Sequence, residues 1–177
     1  SIVVERGPCV EERARKIERF CTERVLDVNG NVQFGEGGAG TFSDGKLNTQ
    51  THSPYNRDVL ETFVRFGAPR EILWLQKPHI GSDNLRSVVR NMREFLQKSG
   101  GQVRFHTLLK DISVQNGELK SVVLADLKLG GEERIEPAAV VLAIGHSARD
   151  TFERLLARGV AMRQKEFALG LRIEHLQ

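Results

Sequence analysis

The sequence lacks several features that would assign it to a functional class. Its two cysteines, Cys9 and Cys21, form no CxxC pair, so neither a disulfide scaffold nor a zinc or other metal site is indicated. No apolar run reaches the length of about 18 residues that a membrane span needs, and the start, SIVVERG, lacks the basic segment of a signal peptide. We therefore expect a cytoplasmic protein with no membrane partner.

The sequence also lacks a strong excess of either positive or negative charge. The 26 basic and 23 acidic residues are interspersed and leave a net charge of +3. A nucleic-acid partner normally requires a continuous basic stripe, and none is present. The weak positive balance does suit a small anionic ligand.

The periodicity of the 177 residues predicts an α/β domain. SIVVE reads as a strand, and Val10, Ala14, Ile17 and Cys21 as the apolar face of a helix whose charged residues face solvent. Further helices are predicted at 59–64, at 82–99 with Ser82 or Asp83 as the cap, and after Asp150 as the cap.

The remaining predicted elements are strands. QVRFH reads as a short strand, and TLLKDISVQ and ELKSVVLAD flank Asn116-Gly117, which predicts a tight antiparallel hairpin. Residues 138–145, AAVVLAIG, are apolar throughout, which is typical of a strand that is covered on both faces. A last strand is predicted around residues 167–173.

The glycine-rich stretch FGEGGAGTFSDGKL, residues 34–47, has five glycines in fourteen positions. We call it the glycine loop. Gly35, Gly37 and Gly40 formally match G-x-G-x-x-G, but no buried strand precedes them and no apolar helix period follows, so we do not expect a Rossmann phosphate turn here. A mobile surface loop is the alternative to a ligand-binding loop.

The first predicted strand has a second, weaker feature of dinucleotide-binding proteins. A Rossmann second strand ends in an acid that accepts hydrogen bonds from ribose hydroxyls. In SIVVERG the apolar strand ends at Glu5, which is the arrangement expected if a glycine turn preceded Ser1. An exposed glutamate at an ordinary strand end is the alternative.

Five segments in the same order resemble a family of FAD-dependent dehydrogenases, the NAD(FAD)-utilising dehydrogenases: VVERG, the glycine loop, KPHIGSDNL, VVLAIGHSARDTF and FALGLRIEH. The resemblance implies an FAD/NAD(P)-binding, Rossmann-like layer sandwich with an antiparallel β-meander insertion, whose first strand and glycine turn lie before Ser1. It divides the chain into a partial FAD-binding region (1–50), a helical insertion (51–81), the rest of the FAD-binding domain (82–150), and a helix with the start of a substrate domain (151–177).

The resemblance also implies roles for individual residues. Glu5 would hold the adenosine ribose, with Arg6 on the adenine side, and Leu108 or Leu109 would pair with adenine through the backbone. The glycine loop would run along the diphosphate and the flavin, where bare amides are needed. The residues assigned to that contact are Gly35, Gly37, Gly38, Ala39, Gly40, Thr41, Ser43, Lys46 and Leu47, with Ala143 and Gly145 at the end of the apolar strand.

The implied activity is hydride transfer through bound FAD, with NAD(P)H as a candidate reductant and a small molecule as substrate. A flavin performs that chemistry itself, so the protein has only to position the substrate, exclude water and stabilise charge on the flavin ring. His79 and His146 are candidates to move a proton, and Lys77 to bind an anionic substrate. Structural or solvated histidines are the alternative, and the substrate and the oligomeric state are not set by the sequence.

Two other functions remain open at this point. The chain could hold FAD for an RNA-modifying assembly, which predicts RNA retention with a steep salt dependence. Alternatively, it could be a non-catalytic structural fragment, in which an exposed strand edge at SIVVE would promote dimers.

Overall fold

The computed structural model describes residues 1–43, 45–47, 49, 51–166, 170, 171 and 173. Within them the chain has a mixed α/β fold with two small sheets. The elements in chain order are β1 (Ile2–Val4), α1 (Val10–Glu23), α2 (Asn56–Arg65), α3 (Ser82–Lys98), β2 (Gln102–Arg104), β3 (Thr107–Gln115), β4 (Glu118–Asp126), β5 (Glu132–Ile135) and α4 (Arg149–Ala157).

The first sheet joins β1 and β2 as a parallel pair, with Val3 opposite Val103. The second sheet is an antiparallel meander in the order β3, β4, β5. The hairpin prediction is confirmed, because Asn116 and Gly117 both have positive φ, 52° and 77°, as a two-residue hairpin turn requires.

Two apolar clusters form the core. One lies between α2 and α3 and contains Ile72, Ile80 and Val88. The other lies between the meander and α4, and both Val4 of β1 and Ile144 pack against it. The end of β1 and the segment before α4 therefore meet the same core.

The four helices lie where the periodicity predicts them, but two predicted caps are wrong. Helix α3 begins after Gly81, which is its N-cap, and no side chain caps it. Helix α4 has Ala148 as its N-cap, because Asp150 lies inside the first turn and pairs with Arg6. No helix of the described residues is long and apolar enough to cross a membrane.

The prediction of a buried strand at residues 138–145 is wrong for the described part of the chain. No strand pairing is found there, and Val141 is 90% exposed. A strand covered on both faces needs hydrogen-bonded neighbours and packed layers, and the described residues supply neither. The predicted strand at 167–173 falls mainly on residues outside those described.

The buried face of helix α1 is not the one that the sequence predicts. Val10 is buried as expected, but Cys21 is exposed. Arg13, which we expected on a solvated face, is completely buried, and Glu12 and Lys16 form a half-buried ion pair at 3.2 Å. A charged residue therefore occupies the inner face of this helix.

Candidate functional site

The glycine loop lies against the segment that follows β1. A Cβ on Gly7 would stand 2.6 Å from the Cα of Gly35, so the two backbones are in direct contact. The amide of Glu36 donates to the carbonyl of Pro8 at 3.0 Å. The loop is thus fixed at the carboxyl end of a parallel strand, which is the edge where α/β sheets place their ligands.

The glycines of the loop fall into two groups. At Gly35, Gly37 and Gly45 a Cβ would collide with the protein, at 2.6 Å from Arg13 Cδ, 2.1 Å from Thr41 Oγ1 and 2.8 Å from Gly81 N respectively. At Gly38 and Gly40 nothing of the protein lies within 4 Å of the added atom. Gly40 does not have a positive φ either, so no contact or backbone strain among the described residues explains its missing side chain.

Two carbonyl groups of the loop accept hydrogen bonds from the loop's own hydroxyl groups. The hydroxyl of Thr41, which is fully buried, donates to Gly37 O at 2.8 Å, and the hydroxyl of Ser43 donates to Gly40 O at 3.3 Å. Both predicted donor hydroxyls are therefore used inside the loop. Ala39 and Gly40 are exposed residues, and their amides donate to no acceptor among the residues described.

Arg13 of α1 binds the backbone of the glycine loop. Its Nε donates to Asn31 O at 2.8 Å, and its Nη1 donates to Gly35 O at 3.3 Å and to Glu36 O at 2.7 Å. The guanidinium also stacks on the ring of Phe42, with Cζ 4.7 Å from the ring centroid. Burial lowers the pKa of Arg13 to about 10, which still leaves it charged at neutral pH.

Glu36 is the second anchor, and it joins the loop to two helices. Its Oε2 accepts from the amide of Val10 at 2.7 Å and from Arg93 of α3 at 2.8 Å. It therefore caps α1, whose own N-cap residue makes no side-chain bond. Burial raises the pKa of Glu36 above its usual value, although the Val10 amide and Arg93 act against that change.

The segment with His79 runs beside the end of the loop. Lys46 and His79 are directly opposite each other in an antiparallel bridge, and the amide of Leu47 donates to Pro78 O at 2.9 Å. Side chains directly opposite in such a pair extend to the same face. Two residues that were predicted separately are thus neighbours, and Lys77 is exposed two positions away.

The two residues after β1 are placed differently from each other. Glu5 is partly buried, and its Oε1 accepts from the amide of Gly7 at 2.7 Å. Arg6 donates to Asn29 Oδ1 at 2.8 Å and pairs with Asp150. Arg6 is therefore engaged by a carboxylate of α4, whereas Glu5 remains beside the glycine loop.

The other predicted residues lie in two places. Leu108 and Leu109 are in β3, paired with Ala125 and Leu124 of β4, and this strand begins where Thr107 N donates to Glu5 O at 3.0 Å. Ala143, Gly145 and His146 lie in the exposed segment before α4. His146 contacts the neighbouring Ser147 at 3.0 Å, and no hydrogen bond or ion pair joins it to the glycine loop within the described residues.

The described surface has a further cavity away from the glycine loop. A cavity of about 420 Å³ lies on the meander beside α4, lined in part by Asp111 and Arg158, but none of the predicted site residues lines it. In the described residues, no group of three or more His, Cys, Asp or Glu side chains is arranged to hold a metal ion.

Sequence reasoning missed Arg13, Glu36 and Arg93. The signal for Arg13 was present, because it lies three positions after Val10 and so on the same helix face. The signal for Glu36 was weaker, since a single acid among glycines does not reveal that it caps a helix 26 positions earlier in the chain.

Comparison with known proteins identifies a relative but no activity. No protein-family model matches the chain. Over 176 residues it is 45% identical to an uncharacterized protein of Clostridium beijerinckii. The match covers 99% of this chain and 32% of the relative, so the chain spans about a third of the relative's length.

Proposed function

We propose that this chain is part of an FAD-dependent oxidoreductase that transfers hydride through a bound flavin. The observation that carries the proposal is Gly40, whose missing side chain has no cause among the described residues. Ala39 and Gly40 are both exposed, and their amides have no acceptor among the described residues. A diphosphate requires such amides and a backbone that it can approach closely.

The fold proposed for this function is a Rossmann-like FAD-binding layer. The parallel pair of β1 and β2, with Glu5 at the end of β1 and the glycine loop beside it, supports this assignment. The outer edge of β1 has no partner among the described residues, and Ile2 and Val3 are 42% and 45% exposed. We expect a strand of the longer protein to lie between β1 and residues 138–145, which would then be covered as their composition requires.

The chain's own residues have positioning and electrostatic roles in this proposal. Bound FAD would supply the hydride chemistry. The residues that fit the group are the open amides of Ala39 and Gly40 for an anionic oxygen and the carboxylate of Glu5 for ribose hydroxyls. The side chains of Lys46 and His79, on one face, are placed to hold charge and to move a proton at the histidine ring. We expect the protein to act in the cytoplasm on a small molecule, with NAD(P)H as a candidate reductant.

The test uses the full-length protein that contains these residues. We expect it to be yellow when purified, or to take up FAD with quenching of flavin fluorescence, and to bind FMN and ADP much more weakly. The control is the Arg15→Gln variant, at an exposed position of α1, which should take up FAD like the wild type. A colourless protein that takes up no FAD in titration contradicts the proposal.

A further inference from the structure

A buried cation organises the backbone of the glycine loop. The guanidinium of Arg13 donates to the carbonyl groups of Asn31, Gly35 and Glu36, and its aliphatic part occupies the space that a side chain on Gly35 would need. The fork geometry of a guanidinium lets one side chain bind several carbonyls at fixed angles. Arg13 thereby holds both ends of the segment between Asn31 and Glu36.

Peptide geometry converts this anchoring into a direction for the amides. In a trans peptide the carbonyl and the N–H of the same unit point in opposite directions. Because Glu36 O accepts from buried Arg13, the N–H of Gly37 is directed away from the protein interior. Gly38 O and Ala39 N–H belong to the same peptide unit, and Gly38 O accepts from Thr41 N at 3.4 Å. The N–H of Ala39 therefore points in the opposite direction from that hydrogen bond.

The charge of Arg13 is balanced only at a distance, because the carboxylates of Glu5 and Glu36 act to raise its pKa without contacting it directly. Among the described residues it forms no ion pair with a carboxylate, and its buried Nη2 has no hydrogen-bond partner. The ring of Phe42 contacts two cations, with the Cζ atoms of Arg13 and Arg86 at 4.7 Å and 4.6 Å from its centroid. Burying a guanidinium without a direct carboxylate partner is unfavourable, and its three hydrogen bonds to backbone carbonyls offset that cost.

We propose that Arg13 is a positioning residue, which turns the carbonyls of Gly35 and Glu36 inward and thereby presents the amide of Gly37, beside those of Ala39 and Gly40, to an anionic ligand. This inference rests on the proposed function for the identity of the ligand, FAD. The orientation of the amides is a property of the chain and can be measured without FAD.

The experiment compares Arg13→Lys and Arg13→Gln with a control, Arg15→Gln, in the full-length protein. Arg15 is on the same helix but is exposed. Three quantities are measured: the unfolding midpoint, the hydrogen-exchange rates of the amides of Glu36, Gly38 and Thr41 without FAD, and the Kd for FAD of the folded protein. Ethylguanidinium is then added to an Arg13→Ala variant to test whether a free guanidinium restores affinity.

We expect both Arg13 variants to speed exchange in the loop and to weaken FAD binding by at least about tenfold, which corresponds to the loss of one charge-assisted hydrogen bond. Ethylguanidinium should recover part of the affinity, and Arg15→Gln should behave as the wild type. If one Arg13 variant does not fold, the other and the ethylguanidinium titration decide the question.

Two results would overturn the inference. In the first, the variants melt at a lower temperature but bind FAD with wild-type affinity when folded, which is what a purely structural arginine gives. In the second, loop exchange is unchanged in both variants. A wild-type protein that binds no FAD refutes the proposed function instead, while the exchange rates still decide whether Arg13 orients the loop.

Discussion

Gly37 and Gly40 of the glycine loop lack side chains for different reasons: we expect glycine at 40 to be required for ligand binding and glycine at 37 to be required for folding. Gly40 has open space where a Cβ would stand and no positive φ, whereas Gly37 has a φ of 83° and would place a Cβ 2.1 Å from Thr41 Oγ1. The same substitution, glycine to alanine, should therefore have opposite effects on stability at the two positions.

The magnitudes follow from these contacts. Gly40→Ala removes backbone freedom from the unfolded chain and should stabilise the protein without FAD by about 0.4–1 kcal/mol. Gly37→Ala imposes a left-handed conformation on a residue with a side chain, which costs about 1–2 kcal/mol. It also breaks the Thr41 to Gly37 hydrogen bond, worth about 0.5–1.5 kcal/mol, so we expect a loss of about 2–3 kcal/mol.

Gly40→Ala, which should stabilise the protein, should weaken the binding of FAD. A methyl group on Gly40 would displace the anionic group from the open amides, with the loss of a charge-assisted hydrogen bond worth about 1.5–3 kcal/mol. That energy corresponds to a Kd that is weaker by roughly ten- to a hundredfold. Gly40→Ala should thus give a protein that is more stable and binds FAD poorly.

The assay is urea denaturation of the protein without FAD, followed by fluorescence titration with FAD of each folded variant. If Gly40→Ala binds FAD as tightly as the wild type, Gly40 does not face the cofactor and the central argument fails. If Gly40→Ala lowers the urea midpoint, the space around Gly40 is filled in the full-length protein by another part of the chain.

Three further predictions concern the hairpin, an ion pair and the candidate proton carrier. Gly117→Ala, at φ 77°, should cost about 1–2 kcal/mol in urea denaturation and leave FAD affinity unchanged; a neutral result would contradict the turn geometry. Burial acts to raise the pKa of Glu11, but hydrogen bonds from Arg93 and Arg90 prevail and lower it from 4.5 to about 2. The stabilisation from this carboxylate is therefore complete above pH 4.5 and lost toward pH 2, so Arg90→Met should destabilise by under about 1 kcal/mol at pH 7, with a difference from wild type that disappears over that pH range. His79→Gln should lower kcat by about a hundredfold or more without changing FAD affinity, and His52→Gln, at another exposed histidine, should change neither; equal kcat in both variants would remove His79 from the mechanism.

The elements that sequence predicted well are those decided by local chemistry. Asn116-Gly117 fixes a hairpin turn because both residues tolerate positive φ, and the flanking alternation then sets β3 and β4. Helix α3 follows in the same way from its apolar period and from Gly100-Gly101 after its last residue. Neither conclusion needs knowledge of a distant part of the chain.

The elements that sequence predicted poorly depend on distant partners. The apolar composition of residues 138–145 indicates burial, but burial of a strand requires neighbours that the described residues do not contain. Asp150 was predicted as a helix cap from its position alone. Its carboxylate is instead directed to Arg6, 144 positions earlier, a partner that no local pattern identifies.

The candidate site shows the same division. The glycine loop could be recognised from composition, and so could the exclusion of a Rossmann turn, since Ala39–Phe42 forms only a short 3₁₀ helix. That Lys46 and His79 are neighbours could not be predicted from either segment separately, because the bridge between them joins residues 33 positions apart.

Arg13 indicates how such sites could be found from sequence more generally. A loop rich in glycine has few side chains with which to satisfy its own carbonyl groups, and buried carbonyls without donors are unfavourable. The donors must then come from a neighbouring element, and arginine supplies several from one residue. An arginine on the inner face of a helix that precedes a glycine loop, as Arg13 follows Val10 by three positions, is therefore better interpreted as a partner of that loop than as part of a solvated surface.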